Sequence, residues 1–179
     1  MTDVQLAPRG LEGVVVSETK LSRVEGQIGR LTYLGYDIDE MAKCSFEEVI
    51  YLFLYGALPN QAQLQKLDQE LKGQRAIPAA VRDFVMSAPV DDHPMATLRT
   101  GISMLSGAID NTENLERASL EQQSKSLIAK VATIAAGIAR ARKSKPFVEP
   151  NPSLSHAANY LYMANGEIPT DVVTKTLDQ

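Results

Sequence analysis

The sequence predicts an all-α protein, mainly helical and built of several helices, with a small β-containing segment at its N-terminal end. Three observations carry that expectation. Helix-opening residues recur from position 37 onward, each followed by apolar residues at helical spacing. Gly56, Gly73 and Gly166 stand where individual stripes end, as helix stops do. Five of the eleven glycines (Gly10, Gly13, Gly26, Gly29 and Gly35) crowd into residues 1–36, together with two short β-prone runs.

The elements follow in order. Val14-Val15-Val16 and Leu31-Thr32-Tyr33-Leu34 read as brief strands bracketed by turns, so residues 1–36 form a β-containing lead-in and residues 37–179 a helical region. Ser45-Phe46-Glu47-Glu48 matches a capping box and opens a helix through Tyr55. Asn60 caps Gln61–Lys72, where Leu64, Leu67 and Leu71 share a face. Pro78 and Pro94 suit the first position of helices running to about Ser87 and Ala108. The second of these carries Met95, Leu98, Ile102 and Leu105 as one stripe.

The longest helix starts near Ser119 and ends near Lys143, with Leu120, Leu127, Val131, Ile134 and Ile138 on one face. Ser153 or Ser155 opens the next, which stops near Gly166, and Thr170 caps the last. That final helix runs out at Leu177-Asp178-Gln179 with no glycine, proline or basic turn, which predicts a truncated chain. The proline-rich stretch Lys143–Ser153 passes between packed helices.

Composition narrows the function classes. With 179 residues, 44% hydrophobic and 22% charged, the chain has the make-up of a folded globular protein rather than a disordered one. A net charge of -4 gives no basic field for phosphate backbones, so no nucleic-acid partner is expected. No apolar run approaches a membrane span, and Met1-Thr-Asp-Val-Gln-Leu-Ala-Pro lacks the pattern of a signal peptide. A single cysteine, Cys44, and two histidines make neither an internal disulfide nor a zinc cluster. A reduced cytoplasmic setting without a metal is the expectation.

Candidate chemistry is sparse. His93, in Asp91-Asp92-His93-Pro94, is read as a turn and helix-cap residue. His156 sits in a first helical turn with Asn159 and Tyr160 at i+3 and i+4, and is read as a structural hydrogen-bonding histidine. Ser153 and Ser155 flank it without the elbow motif of a serine nucleophile. Cys44 precedes a capped helix and is read as a packing residue. Arg140, Arg142, Lys143 and Lys145 complement the carbonyl end of the longest helix, with a phosphate-bearing ligand as the alternative. Ala129, Ala132, Ala135, Ala136, Gly137, Ala139 and Ala141 leave that helix small-sided, a face to be filled within the subunit or by an identical partner.

Longer strings carry a resemblance. Arg9-Gly-Leu-Glu-Gly-Val-Val-Val-Ser-Glu-Thr, Gly29-Arg-Leu-Thr-Tyr-Leu-Gly-Tyr-Asp-Ile and Ser45-Phe-Glu-Glu-Val resemble the opening of bacterial-type citrate synthases. His93-Pro-Met-Ala-Thr-Leu-Arg-Thr, Leu127-Ile-Ala-Lys and Leu154-Ser-His-Ala-Ala-Asn-Tyr-Leu-Tyr-Met continue in that family's order and spacing. The resemblance implies a dimeric, almost wholly helical enzyme that condenses acetyl-CoA with oxaloacetate to citrate and free CoA. Two histidines and an aspartate do this chemistry, and no cofactor is implied, acetyl-CoA being a substrate. It further implies a subunit interface through the helices at 119–142 and 155–164, and Arg9 as a contact to a CoA phosphate.

The departure from the family is as informative. The later motifs that carry the catalytic histidines and aspartate (Leu-His-Gly-x-Ala-Asn and Gly-x-Gly-His) do not occur here, nor does the His-Ala-Asp/Glu-His segment. His93 and His156 belong to other family strings, so no catalytic residue is assigned in this chain. The expected identity is an N-terminal portion of a citrate synthase, cut off before the small domain and its chemistry and inactive alone. Two alternatives remain open: 2-methylcitrate synthase, which uses propionyl-CoA, and a non-catalytic helical association module on the same scaffold.

Overall fold

The computed structural model describes residues 7–109 and 112–178. Met1–Leu6, in the stretch that lacks a signal-peptide pattern, and Gln179 lie outside the described residues. The chain divides into two compact units, Met1–Met41 and Ala42–Gln179.

The first unit is a three-stranded antiparallel sheet of β1 (Ser22–Glu25), β2 (Arg30–Tyr33) and β3 (Tyr36–Asp37), in that order, followed by the short helix α1 (Ile38–Met41). The β2–β3 hairpin pairs Tyr33 with Tyr36 and turns on Leu34 and Gly35, both at positive φ (49° and 93°). That pair of angles matches strand twist, and glycine supplies one of them without strain. The segment around Leu31 is a strand, as expected. Val14-Val15-Val16 is not. It lies outside the sheet, with Val15 and Val16 83% and 76% exposed. Three β-branched residues cannot form a strand without a neighbour to accept their N–H groups. The unforeseen strand β1, Ser-Arg-Val-Glu, carries one apolar residue but pairs with β2 over four registers.

The second unit is all helix: α2 (Phe46–Tyr55), α3 (Gln61–Gly73), α4 (Ala79–Ser87), α5 (Pro94–Met104), α6 (Arg117–Ala141), α7 (His156–Asn165) and α8 (Asp171–Asp178). The capping chemistry is as read from the sequence. Ser45 and Glu48 close a reciprocal box on α2, which ends on Gly56 in the left-handed conformation. Asn60 and Gln63 do the same for α3. Ser155 caps α7, which also stops on a left-handed glycine, Gly166. α5 ends earlier than its stripe suggested and tightens into a 3₁₀ turn at Leu105–Gly107, and Met95 faces solvent at 60% exposure.

α6 is the central element, packed by α3, α4, α5 and α7. Ile134 and Ile138 meet Val81, Val85 and Leu105 in one core cluster; Ala129 meets Ile50, Leu67 and Leu71 in another. Each fully buried aliphatic side chain here contributes roughly 1.5–3 kcal/mol of transfer free energy. Much of the small-sided face is therefore filled from within the subunit. A Cβ on Gly137 would lie 3.1 Å from both Phe147 and Val85, so glycine lets these side chains approach without either giving way.

Candidate functional site

α6, α7 and α8, with the start of α2, enclose a groove of about 490 Å³ lined almost entirely by apolar groups. Phe46, Leu127, Val131, Ala157, Tyr160 and Leu177 form its walls, and His156 and Asp178 are its polar members. Asp178 Oδ1 accepts the Phe46 backbone N–H at 3.2 Å, so the end of α8 satisfies a free donor at the start of α2.

Behind one wall lies a buried polar junction. Glu47, on the first turn of α2, accepts the His156 backbone N–H on Oε1 at 3.0 Å, supplying a carboxylate at the N-terminus of α7. Arg75, between α3 and α4, is only 1% exposed. Its Nη1 donates to the carbonyls of Asn151 and Leu154, at 3.0 and 2.9 Å. Its own carbonyl accepts the Thr133 hydroxyl at 2.8 Å. Asn159 Oδ1 accepts the Asn151 N–H at 2.7 Å, closing the proline-rich linker onto α7.

Electrostatics follow burial. His156 is 9% exposed, its ring 5.0 Å from that of Phe46. Burial, seconded by the Arg75 charge and only partly opposed by Asp178, pushes its pKa down to about 4. Its imidazole is neutral at physiological pH. Burial likewise lowers the Arg75 pKa, offset in part by Asp68 and Glu47.

The hydrogen-bonding role read for His156 holds for its backbone only. Asn159 turns to the linker and to the Met163 sulfur, and His156 Nδ1 has no partner among the described residues. Ser155 Oγ accepts the Ala158 N–H as a cap, so it is not presented to the imidazole as a nucleophile. His93 caps α5 through Nδ1, 3.3 Å from the Met95 nitrogen. Arg140 Nε donates to the Pro146 carbonyl at 2.7 Å and Arg142 Nη1 to the Asp92 carbonyl at 2.8 Å, so these two arginines tie the end of α6 to neighbouring loops rather than to its own last carbonyls. Cys44 is half-buried and outside any disulfide. Arg9 is exposed, on the 3₁₀ turn Arg9–Leu11 of the first unit. Among the described residues no group of histidine, cysteine or carboxylate side chains could hold a metal, and no helix is long and apolar enough to cross a membrane.

Sequence reasoning missed Glu47, Arg75, Thr133 and Lys125. Lys125 donates to Glu70 at 2.6 Å and stands 5.9 Å over the Tyr55 ring. Burial pulls its pKa down, but hydrogen bonds to Glu70 and Tyr55 outweigh that and hold the ammonium above its usual value. None of these contacts has a local signature, since the partners lie tens of residues away.

A family model described as citrate synthase, C-terminal domain, matches residues 10–179. The chain is 43% identical to the citrate synthase of Haloferax volcanii, over 95% of this chain and 46% of that protein. It is 36% identical to a 2-methylcitrate synthase of Mycobacterium tuberculosis, over 96% of this chain and 43% of that one. The solved citrate synthase of Pyrobaculum aerophilum superposes with a TM-score of 0.83 at 30% identity, covering 95% of this chain and 45% of the other. The chain thus spans about half the length of the relatives it matches. A match over nearly all of its residues, joined to the same helical architecture, places this chain in the citrate synthase family.

Proposed function

We propose that these residues form the helical scaffold of a citrate synthase that, in its complete form, condenses acetyl-CoA with oxaloacetate to give citrate and CoA. The observation that carries this reading is the family match across residues 10–179. The condensation needs a base for the acetyl methyl proton and donors aimed at the carbonyl oxygens. His93 is committed to capping α5, and the His156 ring, a lining group of the groove, is buried with its pKa pushed down to about 4. A helix cap and a buried, weakly basic ring are poor candidates for the base, which supports placing the catalytic histidines and aspartate outside this chain and expecting it to be inactive alone.

The rest of the reading follows from the family. The 179 residues are a portion of a longer cytoplasmic enzyme of the tricarboxylic acid cycle, which needs no cofactor and engages neither nucleic acid nor membrane. α6 and α7, which cover the stretches 119–142 and 155–164 expected at the interface to within two residues, serve as the homodimer interface, and the apolar groove beside them supports that assignment. Arg9 reaches a CoA phosphate.

A second reading, 2-methylcitrate synthase acting on propionyl-CoA, is favoured by the 36% identity to the M. tuberculosis enzyme. The product of the complete reading frame, supplied with oxaloacetate and either acyl-CoA, separates the two. Faster CoA release from acetyl-CoA supports the first reading, and faster release from propionyl-CoA the second.

A further inference from the structure

Two lysines of α6 draw their ammonium groups in from solvent, and only one of them has a carboxylate. Lys125 Nζ is paired with Glu70. Lys130 Nζ donates to the Gln74 carbonyl at 2.9 Å and to the Ser126 hydroxyl at 2.8 Å, both uncharged acceptors. Among the described residues no carboxylate offsets the Lys130 charge, and burial alone acts on its pKa, lowering it.

Lys130, Gln74 and Ser126 all line one pocket of about 480 Å³, between α6, the end of α3 and the residues that lead into α6. An ammonium has three N–H donors, so with two spent on the pocket wall the third is left for a group within it. Asn114, Ser119 and Gln122 make the lining polar, and Glu116 is its acidic member among the described residues. Gln123 Nε2 donates to the Asn114 carbonyl at 3.3 Å and to Ser119 Oγ at 3.0 Å, and Asn114 Oδ1 accepts the Glu116 N–H at 2.9 Å. These bonds hold that wall against α6. The pocket shares no lining residue with the apolar groove.

We propose that this pocket binds a polyhydroxylated monocarboxylic acid, with its carboxylate on the Lys130 ammonium and its hydroxyl groups on Asn114, Ser119 and Gln122.

Charge selects the head group. Drawing a cation out of water without a counter-ion is unfavourable, and a carboxylate seated on it forms a charge-assisted hydrogen bond. One lysine matches one negative charge, and Glu116 in the same lining opposes a second, so a carboxylate fits better than a phosphate dianion. The walls select the body. Amides and hydroxyls answer ligand hydroxyls as both donors and acceptors. Ala108 and Ile109, the apolar members of the lining, give too little surface for an acyl chain or a stacked ring. The volume lies within the range of small-molecule sites.

The test uses the complete protein with oxaloacetate in excess, so that the probe does not report on the condensation site. Gluconate is the probe, and sorbitol is its neutral counterpart, with the same carbon chain and hydroxyls and a CH2OH in place of the carboxylate. Calorimetric titration should show binding of millimolar gluconate and none of sorbitol. A soaked crystal should place the gluconate carboxylate within hydrogen-bonding distance of Lys130 Nζ. Lys130→Met keeps the stem and loses the charge, and should weaken gluconate by about tenfold or more. Gln122→Ala, at an exposed position of α6, should weaken it by about threefold to tenfold. No gluconate binding, equal binding of sorbitol, preference for inorganic phosphate, or gluconate density elsewhere would overturn the proposal. So would unchanged affinity in Gln122→Ala or in a folded Lys130→Met protein. If Lys130→Met does not fold, Gln122→Ala and the gluconate–sorbitol comparison decide.

Discussion

Glu47 Oε1 and the backbone nitrogen of His156 are 3.0 Å apart across 109 positions of sequence. This bond joins the first turn of α2 to the first turn of α7, and both residues are buried. A charge-assisted hydrogen bond of this kind is worth about 1.5–3 kcal/mol, and the same carboxylate favours the charged form of buried Arg75. Glu47→Gln, which keeps an acceptor and loses the charge, should lower unfolding free energy by about 1–2 kcal/mol, and Glu47→Ala by about 2–3 kcal/mol. Urea titration checks both. Equal midpoints for Glu47→Ala and the parent chain would show that the bond contributes nothing to stability.

His156 predicts a pH dependence of defined sign. Its folded pKa of about 4 lies below the ordinary 6.5, so the unfolded chain binds the proton first as pH falls. Stability from keeping this ring neutral is therefore fully present above about pH 6.5 and is lost as pH drops toward 4. At roughly 1.4 kcal/mol per pH unit, the loss comes to about 3 kcal/mol across that window. Carboxylates add their own acid dependence, so the diagnostic quantity is a difference. His156→Gln should flatten the stability profile between pH 6.5 and 4 relative to the parent. Parallel profiles would show that His156 is protonated without penalty.

Gly137 tests the close packing of α6 against Val85 and Phe147. An alanine methyl would lie 3.1 Å from each neighbour. Alanine gains about 1 kcal/mol of helix propensity over glycine, while overpacking a filled core costs about 1–3 kcal/mol. Val85 is fully buried in the core cluster with Ile134 and Ile138, where a shift disturbs several packed neighbours, so the clash should win. The expected result for Gly137→Ala is a net loss of about 1 kcal/mol, and a larger one for Gly137→Val. Gly73, at the end of α3, has open space beside it, and an added Cβ would meet nothing within 4 Å. Gly73→Ala should therefore be neutral or slightly stabilising, and it serves as the control. Thermal or urea unfolding of the three variants checks the order.

What could be read from the sequence was whatever is written locally. Ser45 with Glu48, Asn60 with Gln63, and the glycines at 56 and 166 act within a few residues, so their roles survive in the fold unchanged. The β-branched run Val14–Val16 is equally local, yet strands need partners that no local pattern supplies, and these valines lie outside the sheet. Arg75 gives no sign of burial among Gly73, Gln74 and Pro78; its partners are carbonyls 76 and 79 positions onward. The groove was half legible: the apolar stripe on α6 was visible, but not that Phe46 and Leu177 complete its walls. Arg9 as a CoA-phosphate contact rests on the resemblance alone, and no local geometry singles it out.

The central claim is that these residues are scaffold and that the acid–base groups of the condensation lie elsewhere. The most direct measurement is oxaloacetate-dependent CoA release from acetyl-CoA, made side by side on the product of the complete reading frame and on the purified 179-residue chain. Turnover by the complete protein and none above background by the chain is the expected result. Citrate formation by the chain alone would contradict it.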